Sequence, residues 1–407
     1  MSVSSFQEEL DRRWSAGSEG VPALVDWLLT GCAKQGASDL HMEPRQDEVL
    51  FRWRRDGCLS DLGVGCGPLR VNVVQRVKVL AGLLTYRTDI PQDGRITGTT
   101  AKGVVDMRVS VYPAALGEKV VVRFFQRTTA SESPAPADAQ AVEEWTLASL
   151  GLMPADAARF AAFLTRPQGM LLLTGPAGSG KTTTLYAGLR HIVAHARGQR
   201  QIVTIEDPVE RILPGVTHTE LKLVAGLDYP AALKALLRQD PEVIMIGEIR
   251  DGETAQVAVQ AALTGHLILS TVHAPAAPEV LLRLLHLGVE PYLIASVVSA
   301  VQEQRLVRRL CPACKTADAD SVDGAPFRAA GCDECARTGY KGRELLAELL
   351  PVEGLVRDAV LARKDSLELM SAAASVGWRG LWARGVEKAA AGLTTYAELR
   401  RVLMPTG

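Results

Sequence analysis

The sequence predicts the α/β class: a mostly parallel sheet with helices on its faces, behind a smaller α+β domain and ahead of a cysteine-bearing, helical tail. Three observations carry this. Four short apolar runs, 169–174, 201–205, 243–246 and 267–272, alternate with helical patterns, the order that builds a parallel sheet. Upstream, runs of alternating polar and apolar residues separated by turn dipeptides predict an antiparallel sheet. Between the two, residues 129–141 (TASESPAPADAQA) hold only small, acidic or polar residues with two prolines, so this stretch cannot bury apolar area and reads as a linker.

In chain order, residues 1–20 form an N-terminal extension and 21–128 the α+β domain. Its first helix spans 21–37. Strands follow at 39–43 and 49–54, with a turn at Asp56-Gly57. A helical pattern at 71–84 and a second turn at Asp93-Gly94 lead to a strand with Val105, Met107, Val109 and Val111 on one face and Asp106, Arg108 and Ser110 on the other. A further strand covers 120–125. The large α/β domain takes 142–310, a cysteine module 311–343, and helices 344–407.

Composition narrows the function. Lys plus Arg number 45 and Asp plus Glu 46, and aromatics make up only 5%. The balanced charge and scarce stacking platforms argue against direct nucleic-acid binding. Residues 1–20 carry Glu8, Glu9, Asp11, Arg12 and Arg13 where a secretory signal would be apolar. The charge-free stretch 254–278 is broken by Gln256, Gln260, Gly265, His266, His273 and two prolines, so it reads as a buried helix and strand rather than a membrane span.

The strongest motif is Gly175-Pro176-Ala177-Gly178-Ser179-Gly180-Lys181-Thr182, which fits G-x-x-x-x-G-K-[ST]. It follows the strand MLLLT and opens the helix TTTLYAGLRHIVA. In that context main-chain N–H groups and the helix N-terminus, Thr183 included, cradle phosphate oxygens. Lys181 reaches the β and γ phosphates of ATP and Thr182 holds Mg²⁺. Acidic residues follow at strand ends: Glu206, Asp207 and Glu210 around Pro208, and Glu248 after Gly247. Glu248 is the candidate that orients and deprotonates water. His266 and His273 flank a buried strand and are candidates to sense the γ-phosphate.

IVTIEDPVE, LLRQDPEVIMIGEIRDGETAQVAVQAALTGHLILSTVHA and QRLVRRLCPAC resemble the secretion-superfamily ATPases of type II secretion and type IV pili, of the assembly (GspE/PilB) kind. Ala37–Pro44, Pro91–Arg95, Met107-Arg108, 117–123 and 339–343 continue the resemblance, which covers roughly residues 22–400. It implies a RecA-like P-loop core with a PAS-like N-terminal domain. Gly175–Thr182 then stands as Walker A, Glu206, Asp207 and Glu210 as the Asp box, Glu248 as the Walker B glutamate, and His266 and His273 as the His box. Arg95 and Arg108 stand as arginines that reach nucleotide from the front domain, with Arg123 a weaker third.

The resemblance also implies a hexameric ATP-driven motor on the inner face of the cytoplasmic membrane. Such a motor acts through a platform protein of that membrane and touches pilins only indirectly. An additional N-terminal domain common in assembly-type members is expected to be absent or separate here, since some 36 residues precede Ala37. The alternative is a nucleic-acid translocase or DNA-uptake ATPase on the same core. A guanidinium suits the charge that spreads over equatorial oxygens in phosphoryl transfer, which supports the arginine roles.

Cys311-Pro-Ala-Cys314 and Cys332-Asp-Glu-Cys335 are 17 residues apart, a spacing for tetrahedral Zn²⁺. Four sulfur donors and no nearby general base predict a structural site. An iron–sulfur centre uses the same donors. Asp39, His41 and Glu43 share a strand face that reads as structural rather than metal-binding.

Overall fold

The computed structural model describes residues 3–100, 103–126, 145–221, 226–318 and 326–404. The linker expected at 129–141 lies outside them. The chain divides into two units, Met1–Val142 with Gly331–Lys341, and Glu143–Ala330 with Gly342–Gly407.

The first unit runs α1 (Val3–Trp14), α2 (Gly17–Lys34), β1 (Asp39–Pro44), β2 (Glu48–Arg55), β3 (Cys58–Cys66), α3 (Leu69–Leu80), β4 (Gln92–Thr100), β5 (Gly103–Ala114) and β6 (Gly117–Gln126). Its six strands lie in the order β3-β2-β1-β6-β5-β4, and every neighbouring pair is antiparallel. Period-two alternation puts Leu40, Met42, Val109, Val111, Val120 and Val122 into one core. Helix α2 closes that core with Leu24, Val25, Leu28 and Leu29.

Residues 1–20, expected as an extension, instead contribute α1. Phe6 and Leu10 are buried in the core, and Trp14 Nε1 donates to the Cys66 carbonyl at 2.7 Å. Phe6, Leu10 and Trp14 form a sparse apolar stripe on an otherwise mostly polar helix, which does not stand out in the sequence. Asp93-Gly94 likewise lies inside β4 and not in a turn. Gly94 is required there because a Cβ would collide with the Ala81 carbonyl at the end of α3.

On the open face, Asp39 is paired with Arg123 at 2.9 Å and Glu43 with Lys119 at 3.1 Å, so both carboxylates already have cationic partners. The Cys32 thiol is buried, and desolvation pushes its pKa up to about 12, as befits an inert core cysteine.

The second unit contains α4 (Pro154–Leu164), β7 (Gly169–Thr174), α5 (Lys181–Ala196), β8 (Ile202–Glu206), β9 (Thr217–Glu220), α6 (Tyr229–Leu236), β10 (Val243–Ile246), α7 (Gly252–Leu263), β11 (Leu267–Thr271), α8 (Ala277–His286), α9 (Pro291–Val297) and β12 (Val298–Leu310). The small strands β13 (Thr316–Ala317) and β14 (Phe327–Arg328) precede β15 (Tyr340–Pro351), α10 (Gly354–Leu361), α11 (Ser366–Ser375), α12 (Leu381–Ala390) and α13 (Tyr396–Leu403).

Seven strands lie in the order β15-β12-β7-β11-β10-β8-β9, with parallel pairing from β12 to β9. The central strands are apolar throughout because helices cover both faces. Met170 and Leu172 of β7 enter a core shared with α7, α8 and α9, whereas Leu171 and Leu173 enter one shared with α4 and α5. The segment 344–407, expected to be helical, begins inside β15, an edge strand of this sheet. Among the described residues no helix is long and apolar enough to cross a membrane.

Candidate active site

Strand β7 ends at Thr174, the chain turns through Gly175–Gly180, and α5 starts at Lys181. Gly180 has φ 88°, a left-handed conformation that favours glycine, directly before the helix. Gln304 of β12 buttresses the loop from below. Its Nε2 donates to the Ser179 carbonyl at 2.9 Å while its Oε1 accepts from Gln302 at 3.1 Å. Lys181 Nζ folds back onto the carbonyls of Gly175 (2.7 Å) and Pro176 (2.9 Å). Burial lowers its pKa, and the charge of Glu248 opposes that shift. Among the described residues the buried Ser179 hydroxyl has no partner. A glycine-rich turn at a helix N-terminus, a cation and an orphaned hydroxyl fit a polyphosphate.

The loop opens into a cleft of about 470 Å³, the size of a small-molecule site. Ala177, Gly178, Lys181, Thr182 and Thr183 line it from the loop and helix, and Asp207, Glu210, Glu248 and His273 are among the other lining residues. Glu248 follows β10 through Gly247. Its Oε1 lies 2.9 Å from His273 Nε2 and its Oε2 accepts from Arg250 Nη2 at 2.8 Å. Gly247 stands where many NTPases place a Mg²⁺-binding aspartate. A Cβ there would come within 2.8 Å of the Tyr229 hydroxyl, so the tyrosine occupies that volume. Burial, with Asp207 adding to it, pushes the Tyr229 phenol up to about 12.

Residues 15–401 match the family description Type II/IV secretion system protein. The chain belongs to that family. It is 40% identical over 386 residues to type II secretion system protein HxcR of Pseudomonas aeruginosa, covering 94% of this chain and 78% of that one. It is 37% identical over 410 residues to the type IV pilus assembly ATPase PilB of Myxococcus xanthus, covering 96% and 69%. The fold is shared with the ATPase DotB of Legionella pneumophila, at a TM-score of 0.67 and 18% identity over 93% of this chain and 95% of that one. This secretion ATPase is an ATP-hydrolysing enzyme.

One expected site residue sits elsewhere in the secretion ATPase, and another lines the cleft with its carboxylate already bonded. His266 lies at the amino end of β11, its Nδ1 2.8 Å from the Ala261 carbonyl and its own carbonyl bonded to Gly169 N–H. His273 lies past the carboxyl end of the same strand. The five residues of β11, roughly 16 Å long, and Val272 lie between the two, and His266 is not among the residues lining this cleft. Glu206, expected to act on the reacting atoms, is buried and already bonded. It accepts from Tyr186 Oη and Thr204 Oγ1 at 2.6 Å each and from His218 Nδ1 at 2.9 Å. The strand end placed it correctly in space, but its oxygens point into the protein.

The sequence did not single out Tyr229, Arg250 or Arg343, which also line the cleft. Arg250, two positions after Glu248, was the legible one, since a cation that close to a strand-end carboxylate pairs readily.

Arg95 and Arg108 are exposed on the sheet of the first unit. They are direct cross-strand partners, and Arg108 is in turn opposite Arg123. The four sulfurs of Cys311, Cys314, Cys332 and Cys335 lie within 4.8 Å of one another. Cys332 Sγ and Cys335 Sγ are 3.8 Å apart, the edge of a tetrahedron with metal–sulfur bonds of about 2.3 Å. The N–H groups of Cys332 and Gly339 both donate to Cys335 Sγ at 3.2 Å, which favours a thiolate.

Beside the phosphate loop, Glu303 is buried on β12 and accepts the Ala277 N–H at 3.2 Å. Desolvation raises its pKa from 4.5 to about 7, with Ala277 and Arg305 opposing. Between those values the folded chain holds a proton that the unfolded chain has released, so stability falls as pH rises through this window. Glu303→Gln is expected to flatten that decline, and denaturant midpoints measured at about pH 5 and about pH 8 check it.

Proposed function

We propose that this secretion ATPase is a hexameric motor that powers addition of pilin-like subunits in a type II secretion pseudopilus or a type IV pilus. It works peripherally at the cytoplasmic face of the inner membrane, through a platform protein of that membrane. The observation that carries the reading is Glu248, presented at the mouth of an intact phosphate loop in a chain whose curated relatives are named for secretion and for pilus assembly.

ATP enters with its phosphates in the Gly175–Thr182 loop. Thr182, facing the cleft, would hold Mg²⁺, which when bound neutralises phosphate charge. Lys181 leaves the Gly175 and Pro176 carbonyls for the phosphates. Glu248, aimed by His273 and Arg250, orients the attacking water and takes its proton. Asp207 and Glu210 also line the cleft. Arg95 and Arg108 complete the site from a PAS-like front domain when it closes over nucleotide. Cys311, Cys314, Cys332 and Cys335 of the small module 311–343 would hold a Zn²⁺, which would supply structural support. A nucleic-acid translocase is not favoured by the comparisons.

The test is ring assembly and stimulation by the platform protein. Purified chain incubated with a non-hydrolysable ATP analogue is expected to sediment as a six-membered ring, and phosphate release is expected to rise when detergent-solubilised platform protein is added. A chain that stays monomeric, or a rate raised by DNA and not by the platform protein, rejects the motor reading.

A further inference from the structure

The acidic loop from Asp207 to Leu213 carries two residues of the cleft wall, Asp207 and Glu210, and two buried side chains fasten it. Tyr186 lies one helical turn beyond Thr182 on α5 and is fully buried. Its hydroxyl donates to Glu206 Oε2 at 2.6 Å and accepts the Arg211 N–H at 3.3 Å. The side chain of His218 on β9 is buried as well. Its Nε2 accepts the Leu213 N–H at 3.0 Å, so its proton sits on Nδ1 and points to Glu206 Oε1 at 2.9 Å. Each side chain therefore grips Glu206, at the start of the loop, and a backbone N–H near its far end.

The donor and acceptor assignments close without conflict. The phenol has one proton and gives it to the carboxylate; the imidazole has one and shares it between the carboxylate and Thr204 Oγ1 at 2.9 Å, whose own hydroxyl donates to Glu206 Oε1. The Trp145 ring packs edge-on against Tyr186, with centroids 6.0 Å apart, and the Arg211 guanidinium lies 5.2 Å from the Trp145 ring. The acidic loop is thereby tied to the helix that starts at the phosphate loop.

We propose that Tyr186 and His218 are positioning residues for ATP hydrolysis: acting through Glu206, they hold the Asp207–Leu213 loop in register with the phosphate-loop helix. Neither touches nucleotide. This rests on the ATPase reading and adds to it the device that sets the acidic loop of the cleft. A buried charge-assisted network of this kind is stiff, and losing one member leaves polar groups unpaired beside the loop.

Tyr186→Phe, His218→Ala and His218→Gln in the full chain test this. Phosphate release is measured against ATP concentration, affinity with a fluorescent N-methylanthraniloyl-ATP, and stability by thermal melting. Tyr186→Phe and His218→Ala are expected to lower kcat about tenfold while KM and analogue affinity move less than about twofold. His218→Gln is expected to recover most of the rate, since an amide donates to Glu206 and accepts from Leu213 as the imidazole does. Equal rates for His218→Gln and His218→Ala overturn the proposal, as does Tyr186→Phe with native kcat, or a melting shift without a rate change. If Tyr186→Phe does not fold, the two His218 variants decide alone. Native chain that releases no phosphate would instead refute the ATPase reading.

Discussion

Glu248→Gln is expected to bind ATP and to release phosphate about 10²–10⁴ times more slowly than the native chain. The substitution is nearly isosteric, so the path of β10 and the packing of Gly247 against Tyr229 are retained. What changes is chemistry. The carboxylate accepts from Arg250 Nη2 at 2.8 Å and meets His273 Nε2 at 2.9 Å. An amide keeps one acceptor oxygen, turns an N–H₂ toward the other partner, and cannot take a proton from water. The loss therefore falls on kcat, with analogue affinity near native. Lys181→Ala is its counterpart, because it removes the cation that faces the phosphates and weakens binding itself. Native turnover in purified Glu248→Gln would remove Glu248 from the mechanism.

The parts of this site legible in the sequence are those whose backbone demands a particular residue. The phosphate loop needs glycine at Gly180, where φ is 88°, and a buried strand before it, so spacing and context both survive as text. Strands β7, β10 and β11 are read as apolar runs because helices cover both of their faces. Strand β12 was missed for the opposite reason: Gln302, Glu303 and Gln304 are buried and polar, the two glutamines bracing the phosphate loop and Glu303 the start of α8, and they break the apolar pattern. His266 shows another limit. Its place beside a strand was legible, but adjacency does not say which end of the strand faces the ligand. Glu206 shows a third, since the direction of its carboxylate is set by Tyr186 and His218, which lie 20 and 12 residues away.

Arg95→Ala and Arg108→Ala are each expected to slow hydrolysis on the order of a thousandfold with nucleotide affinity largely kept, the signature of groups that meet charge developing in the transition state. The two face each other across β4 and β5, so they present adjacent guanidiniums on one exposed face. Arg123, next in the same row, is bound to Asp39 at 2.9 Å, and Arg123→Ala is expected to act mainly on the stability of its sheet. Single-turnover phosphate release separates the chemical step from product release, and analogue binding supplies the second axis. Because the two arginines are neighbours, their effects are expected to be non-additive, with the double variant little slower than the worse single one. Native turnover in both single variants would leave this row of arginines a solvated face and assign the transition-state cation to Arg250 or Arg343, which already line the cleft.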